Sequence, residues 1–258
     1  LRVAAVAAAA RVNPTPNAAK AARLLGALQD PALAKVLMEA FLSRPEGPEL
    51  LSKALEGSTL KEPVALAANR SASASGRNVP GLLAALNKAG GLKPVASNMS
   101  QGDRRKLIAD VRASGSAERG QQIYQRTALV CTTCHLVNGQ GGKLGPDLST
   151  VGSYMTPESI LESLLNPSTD IKQGYETVVV TRKDQTIVSG LLQRKTDTSV
   201  LVRDPSGKVV SIPAGEVAKV DTSPVSLMPP GLTAALRRDE LVDLMTFLTT
   251  LGVSPARD

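Results

Sequence analysis

Tryptophan is absent from the 258 residues, tyrosine occurs three times and phenylalanine twice. An aromatic content of 2% leaves a core to be built from Leu, Val, Ile and much Ala, which favours close-packed helices. It also removes the platforms on which bases stack in single-stranded nucleic acid complexes. No run of 18 apolar residues occurs, so no segment qualifies as a membrane-spanning helix. Histidine occurs once and cysteine twice, too few for a structural zinc site with four Cys/His ligands.

What is present is ordinary in bulk. A hydrophobic fraction of 42% with 21% charged residues is that of a soluble globular chain of one or two domains. The formal charge of +7 raises nucleic acid as a partner, but the basic residues are scattered. Their densest clusters are "DRRK" at 103–106 and "LRRDE" at 236–240, which reads as a solvated basic surface and not as a nucleic-acid site. The opening "LRVAAVAAAARV" lacks an initiating Met and a basic region of any length, so it reads as a helix and not as a signal-peptide core. The expectation is a piece of a longer protein, with any export signal upstream.

Residues 1–112 are Ala/Leu-rich and helically periodic, interrupted by Pro and Gly at "NPTPN", "QDP", "SRPEGPE" and "ASASGRNVPG". The intervening runs "AAKAARLLGAL", "PALAKVLMEAFL", "ELLSKAL", "VPGLLAALNKAG" and "DRRKLIADVRAS" predict short antiparallel helices. They imply an α-solenoid of stacked pairs or a small helical bundle. A second region opens at "SGSAERGQQIY", where Ser116 is placed to cap a helix and Glu118 lies in its first turn. "TPESILESLLNPS" predicts a helix from Thr156, with Ile160, Leu161, Leu164 and Leu165 on one side and Asn166 and Pro167 ending it. From residue 176 the period becomes strand-like over about 45 residues. Four β-runs, separated at "KDQ", "KTDT" and "DPSG", predict a β-meander over 176–221. The last element is an amphipathic helix, "RRDELVDLMTFLTTLG", with Leu241, Leu244, Met245, Leu248 and Leu251 at helical spacing and Gly252 as its stop.

Both cysteines and the one histidine fall within five positions, Cys131, Cys134 and His135, in "VCTTCH". C-x-x-C-H is the attachment signature of a c-type haem. Two thiols separated by two residues reach the two vinyl groups, and the adjacent imidazole is thereby placed under the iron as its axial ligand. A thioredoxin-like C-x-x-C would need a preceding βαβ unit, which is not there. A simple disulfide is geometrically possible but leaves the His and the flanking glycines unexplained. Haem propionates would also lower the net positive charge.

Five methionines are available as sixth ligand. Met38 and Met99 lie outside the haem region, and Met245 falls on the apolar face of the last helix, where Met is usually core filler. Met155, close to the haem loop in sequence, is a fallback. Met228 lies before Pro229 and Pro230 on a stretch with no helical face to fill, and a thioether is the usual partner of His in cytochromes c.

"ERGQQIYQRTALVCTTCH", "GQGGKLGPDLSTVG", "SLMPPGL" and "ELVDLMTFLTTL", in that order, resemble a monohaem c-type cytochrome domain. With the β-rich stretch between haem motif and Met, the region is similar to the haem-binding domain at the C-terminus of large multidomain proteins from Planctomycetes and Verrucomicrobia, often preceded by helical repeats. The first region resembles HEAT-type repeats in general character. The resemblance implies a mainly α chain: a helical domain over 1–112, then a cytochrome c fold over 116–252 carrying the β-hairpin insertion at 176–221. It implies that the Pro146 carbonyl, after Gly145, accepts a hydrogen bond from Nδ1 of proximal His135, that Leu148 lies against the haem, and that Met228 is the distal ligand. It also implies a close crossing of the first and last helices at Gly120 and Phe247, where the family more often has Tyr. As plainer readings, Pro146 is a turn former and Leu148 a core residue.

A His/Met-ligated iron has no open position, so the expected work is one-electron transfer through one covalent haem c, with a redox partner protein or domain. The chain then reads as a non-enzymatic module, possible as part of a larger oxidoreductase. With no second His, multihaem wiring and bis-His ligation within the chain are excluded, and a peroxidase-like site lacks its common distal acid/base; Lys or Arg could serve in its place, but nothing marks one out. Two alternatives stay open: a haem-based gas or redox sensor in which Met228 leaves the iron, and an interaction scaffold on which the haem is secondary. Covalent haem attachment in bacteria takes place outside the cytoplasm, so the expected location is periplasmic or otherwise extracytoplasmic. The β-meander reads as a cover for the haem edge, a docking face or a tolerated insertion.

Overall fold

The computed structural model describes residues 1–92, 99–234 and 236–253. Along the chain run helices α1 (Arg2–Val12), α2 (Ala18–Ala27), α3 (Ala32–Leu42), α4 (Gly47–Ala54), α5 (Glu62–Ser73), α6 (Pro80–Gly90), α7 (Gln101–Ser114), α8 (Ala117–Tyr124) and the single turn α9 (Cys131–Cys134). Two-residue strands β1 (Leu136–Val137) and β2 (Gln140–Gly141) follow, then α10 (Val151–Tyr154) and α11 (Pro157–Leu165). Strands β3 (Thr177–Arg182), β4 (Ile187–Lys195), β5 (Ser199–Arg203), β6 (Val209–Pro213) and β7 (Val217–Ser223) precede the last helix, α12 (Arg238–Thr250). The chain is mainly α with a small β part, as its composition predicts. No helix among the described residues is long and apolar enough to cross a membrane.

Two compact units emerge, and their boundaries differ from the sequence expectation. The first combines the described residues of Leu1–Pro94 with Glu176–Pro229; the second combines those of Val95–Tyr175 with Pro230–Asp258. The strand run thus packs with the N-terminal helices, and α7, expected in the helical domain, packs on α11 and α12.

In the first unit α1 packs on α3 and α3 on α5, while α2 packs on α4 and α4 on α6. Two helical layers follow from this pairing, and small residues permit it: Ala10, Ala21, Ala34, Ala40, Ala65 and Ala68 are fully buried. Helix α5, "EPVALAANRSAS", lies outside the runs the sequence singled out. Its pattern is diluted by Ala, Asn and Ser, and its start is marked by Glu62 and Pro63 in the first turn, with no side-chain cap.

The sheet is antiparallel in the order β6-β5-β4-β3-β7. β3, β4, β5 and β6 pair with their neighbours in chain order. The fourth β-run of the sequence is split by a 3₁₀ turn at Ala214–Glu216, and its second half returns to pair with β3. Val178, Val180, Val200, Val202 and Ile212 alternate onto one face and form a cluster made of sheet residues only. On the other face Ser189 Oγ donates to Ser75 O (2.6 Å), and buried Ser223 Oγ donates to Gly76 O (2.5 Å). Ile187 N donates to Ser43 O at 2.8 Å. These bonds, made to the ends of α3 and α5, are why the strands belong to the helical unit.

The second unit is organised on α8 and α12. Gly120 lies at their crossing, where an added Cβ would strike the Asp243 carbonyl and come within 2.7 Å of Phe247 Cβ. Leu241, Leu244, Met245, Leu248 and Leu251 are buried as their spacing predicts, and so are Ile160, Leu161, Leu164 and Leu165 of α11. The caps read from the sequence are present: Ser116 Oγ accepts from Arg119 N, and Thr156 Oγ1 from Ser159 N.

Candidate haem site

All of the Cys/His cluster lies in the second unit. α9 is one turn long, so Cys131 and Cys134 are placed at its first and last positions and share a face, as three-residue helical spacing requires. Val130 precedes it at φ 51°, a left-handed conformation that β-branched residues rarely adopt. Both cysteines are free and half-buried. Burial pushes the Cys131 thiol up to about 11 and raises that of Cys134 as well. They are therefore neutral thiols near pH 7, unlike the activated thiolate of a disulfide oxidoreductase.

His135 follows in extended conformation (φ −111°, ψ 137°). Its Nδ1 is 2.8 Å from the Pro146 carbonyl oxygen, which fixes the tautomer with the proton on Nδ1 and leaves Nε2 with its lone pair for a metal. Burial lowers the His135 pKa, partly offset by the Pro146 carbonyl, so the imidazole is held in the neutral form that ligates.

The loop that carries Pro146 is tied back to α9 by its own backbone. Leu144 N and Gly145 N both donate to Cys134 O (3.1 and 2.8 Å), and Gly142 N donates to Thr132 O at 2.9 Å. Side chains are missing where the loop presses closest. A Cβ on Gly145 would lie 2.5 Å from His135 Cε1, and one on Gly142 would strike the Thr133 carbonyl. Asn138 and Gly139, both at positive φ, turn β1 into β2 as tight hairpins require. The Asn138-Gly139 pair is the sequence signal of this hairpin. Leu148 N donates to Leu136 O at 2.8 Å, and its side chain is half-buried.

Residues 117–184 match the Cytochrome c family model. The match begins at the first residue of α8 and takes in the cluster, the Pro146 loop and α11, and it supports a c-type cytochrome domain that binds haem and transfers electrons. It ends before Met228 and α12. No curated protein matches the chain.

The residues of this region fit a covalently held haem on structural grounds. Two protonated thiols stand one turn apart, an oriented imidazole follows them, and a glycine leaves the ring its space. Among the described residues no group of three or more His, Cys, Asp and Glu side chains gathers to hold a metal ion by itself. Met228, by contrast, belongs to the first unit. It is half-buried, with its N donating to Ser226 Oγ at 3.1 Å. Met155, the fallback, caps α10 in the second unit and is also half-buried.

One residue of the site was missed from sequence. Tyr124, buried on α8, donates from Oη to the His135 carbonyl at 3.3 Å. Its place seven residues before the motif, with Gly120 one turn earlier, was the signal that pointed to it.

Proposed function

We propose that the protein is an electron-transfer module carrying one covalent haem c with His135 as proximal and Met228 as distal ligand. The observation that supports it most is the His135 Nδ1 to Pro146 O contact beside the Cys131–Cys134 turn. It prepares an imidazole for a metal; a structural zinc site would need a fourth Cys/His ligand, which two cysteines and one histidine do not supply, and a thiol oxidoreductase needs no oriented imidazole. When bound, the haem supplies one-electron Fe(III)/Fe(II) exchange. Cys131 and Cys134 tether it, His135 orients it through the Pro146 loop, and Leu148 lies against it. Met228 rests on the sequence argument alone: it precedes a proline pair and has no helical face to fill. Thioether ligation would favour the ferrous state and close the iron to substrates, so the module passes electrons to a redox partner and is not itself an enzyme. Its place is a larger exported protein, periplasmic or otherwise extracytoplasmic, with the N-terminal helices as a HEAT-like array.

Expression with a bacterial haem-attachment system tests the reading. A pyridine haemochrome of c type with one haem per chain is expected, stable to denaturing electrophoresis and abolished in Cys131→Ser/Cys134→Ser. The ferric form should show a thioether charge-transfer band that Met228→Ala removes and Met155→Ala leaves. Rapid carbon monoxide binding by the ferrous wild type would defeat the closed-iron assignment and favour a gas-binding role.

A further inference from the structure

Tyr124 is 5% exposed, and its ring packs on Phe247 with centroids 5.5 Å apart and planes tilted by 50°. Phe247 has no hydroxyl, so Tyr124 alone brings a phenol to this part of the α8–α12 crossing. That phenol is turned toward the haem-binding cluster. Its hydrogen bond goes to the carbonyl of the ligand residue itself.

We propose that Tyr124 is a positioning residue for the proximal imidazole, with its O–H anchoring the His135 backbone while the Pro146 carbonyl holds the ring. The proposal rests on the haem reading above. The direction of a side chain is set by its own backbone, and His135 lies at a change of structure, after the last residue of α9 and before β1. Its N donates to Cys131 O at 2.9 Å, which fixes the side facing the helical turn. On its other side its carbonyl accepts from Tyr124 Oη at 3.3 Å. Gly141 lies against the same carbonyl, where a Cβ would strike it, so the oxygen is hemmed in on one side and bonded on the other. Loss of the hydroxyl leaves a part-buried acceptor without that partner, and the peptide can rotate toward another. Rotation there would tilt the imidazole against Pro146.

The test compares haem-loaded wild type, Tyr124→Phe and Thr246→Val. Thr246 Oγ1 lies 2.9 Å from Val242 O and 3.2 Å from Val111 O in the same unit and makes no bond to Cys131, Cys134, His135 or Pro146, so its loss is a matched structural control. Midpoint potential, the ferric visible spectrum and thermal unfolding are measured on all three. Tyr124→Phe is expected to shift the potential and the spectrum, with Thr246→Val lowering only the melting temperature. Identical potential and spectrum in Tyr124→Phe and wild type would overturn the proposal and leave Tyr124 a packing residue.

Should Tyr124→Phe not fold, 3-fluorotyrosine replacing the three tyrosines keeps the ring and makes the phenol a stronger donor. A potential shift in that protein, lost on returning an ordinary tyrosine at 124, supports the anchor; no shift refutes it. Wild type without covalent haem would remove the haem reading and this inference together, whereas a normal wild-type haem with an unchanged Tyr124→Phe removes the inference alone.

Discussion

The His135 imidazole and Gly145 occupy one another's space: Nδ1 bonds Pro146 O at 2.8 Å, and a side chain on Gly145 would lie within 2.5 to 2.9 Å of three ring atoms. The ring is thus located by an attraction on one atom and by contact along its edge. Backbone bonds from Leu144 and Gly145 to Cys134 O keep the loop from receding.

Gly145→Ala should therefore disturb both stability and ligand geometry. Gly145 is not at positive φ, so alanine suffers no backbone penalty and the effect is steric. Overpacking of this kind costs about 1–3 kcal/mol. Denaturant unfolding of the variant should show that loss, and the haem-loaded form should have an altered visible spectrum. Wild-type values in both would mean the imidazole has room to spare.

The α8–α12 crossing makes a parallel case without the haem. Gly120→Ala places a methyl group against the Asp243 carbonyl and Phe247 Cβ, and a loss of about 1–3 kcal/mol is again expected. Gly215→Ala, where an added Cβ meets nothing within 4 Å and φ is not positive, should stay within about 0.5 kcal/mol of wild type. Equal effects from the two variants would contradict the close crossing.

The parts of this molecule legible in the sequence were those whose signal is local. Helical spacing identified the buried faces of α11 and α12, and three residues in five identified the haem motif. The resemblance supplied the Pro146 contact. The β-strands were visible as strands, but their partner was not: Ser189 and Ser223 carry no mark in sequence that their hydroxyls end on Ser75 O and Gly76 O, more than a hundred residues earlier. α5 was lost because Ala, Asn and Ser blur a helical stripe. Tyr124 was passed over because its role is a bond to a backbone atom, which leaves no pattern among side chains.

The strand-to-helix bonds predict where damage will appear. Ser223→Ala leaves the Gly76 carbonyl without its hydroxyl partner in a buried setting and should cost roughly 1–2 kcal/mol. Hydrogen exchange should rise in α5 and β7, and the haem spectrum of the loaded protein should not move. Faster exchange in α8 and α12 with α5 unchanged would place the sheet with the other unit.

Asp243 gives a prediction whose sign depends on pH. Its buried carboxylate accepts from Ser116 N (2.7 Å), Arg119 Nε (2.5 Å) and Arg119 Nη2 (2.7 Å), tying α12 to the start of α8. Those bonds, the Arg119 side chain foremost, hold its pKa below the usual carboxylate value, against burial and the neighbouring Asp239. A carboxylate depressed by folding stabilises the folded state above its unfolded pKa, about 3.9 for Asp. That contribution disappears as pH falls through the lower, folded value. Asp243→Asn keeps an acceptor for Ser116 but loses the charge, so it should be less stable than wild type at pH 7. The gap should be constant down to about pH 5 and then narrow with acidification. Arg119 is largely exposed, so added salt should reduce the gap at pH 7 without closing it, because the Ser116 bond is shielded from solvent. Unfolding curves of the two proteins between pH 2 and 8, at low and high salt, measure this directly. A gap that widened toward acid would show that Asp243 is protonated in the folded state and that its bonds to Arg119 are not those of a carboxylate.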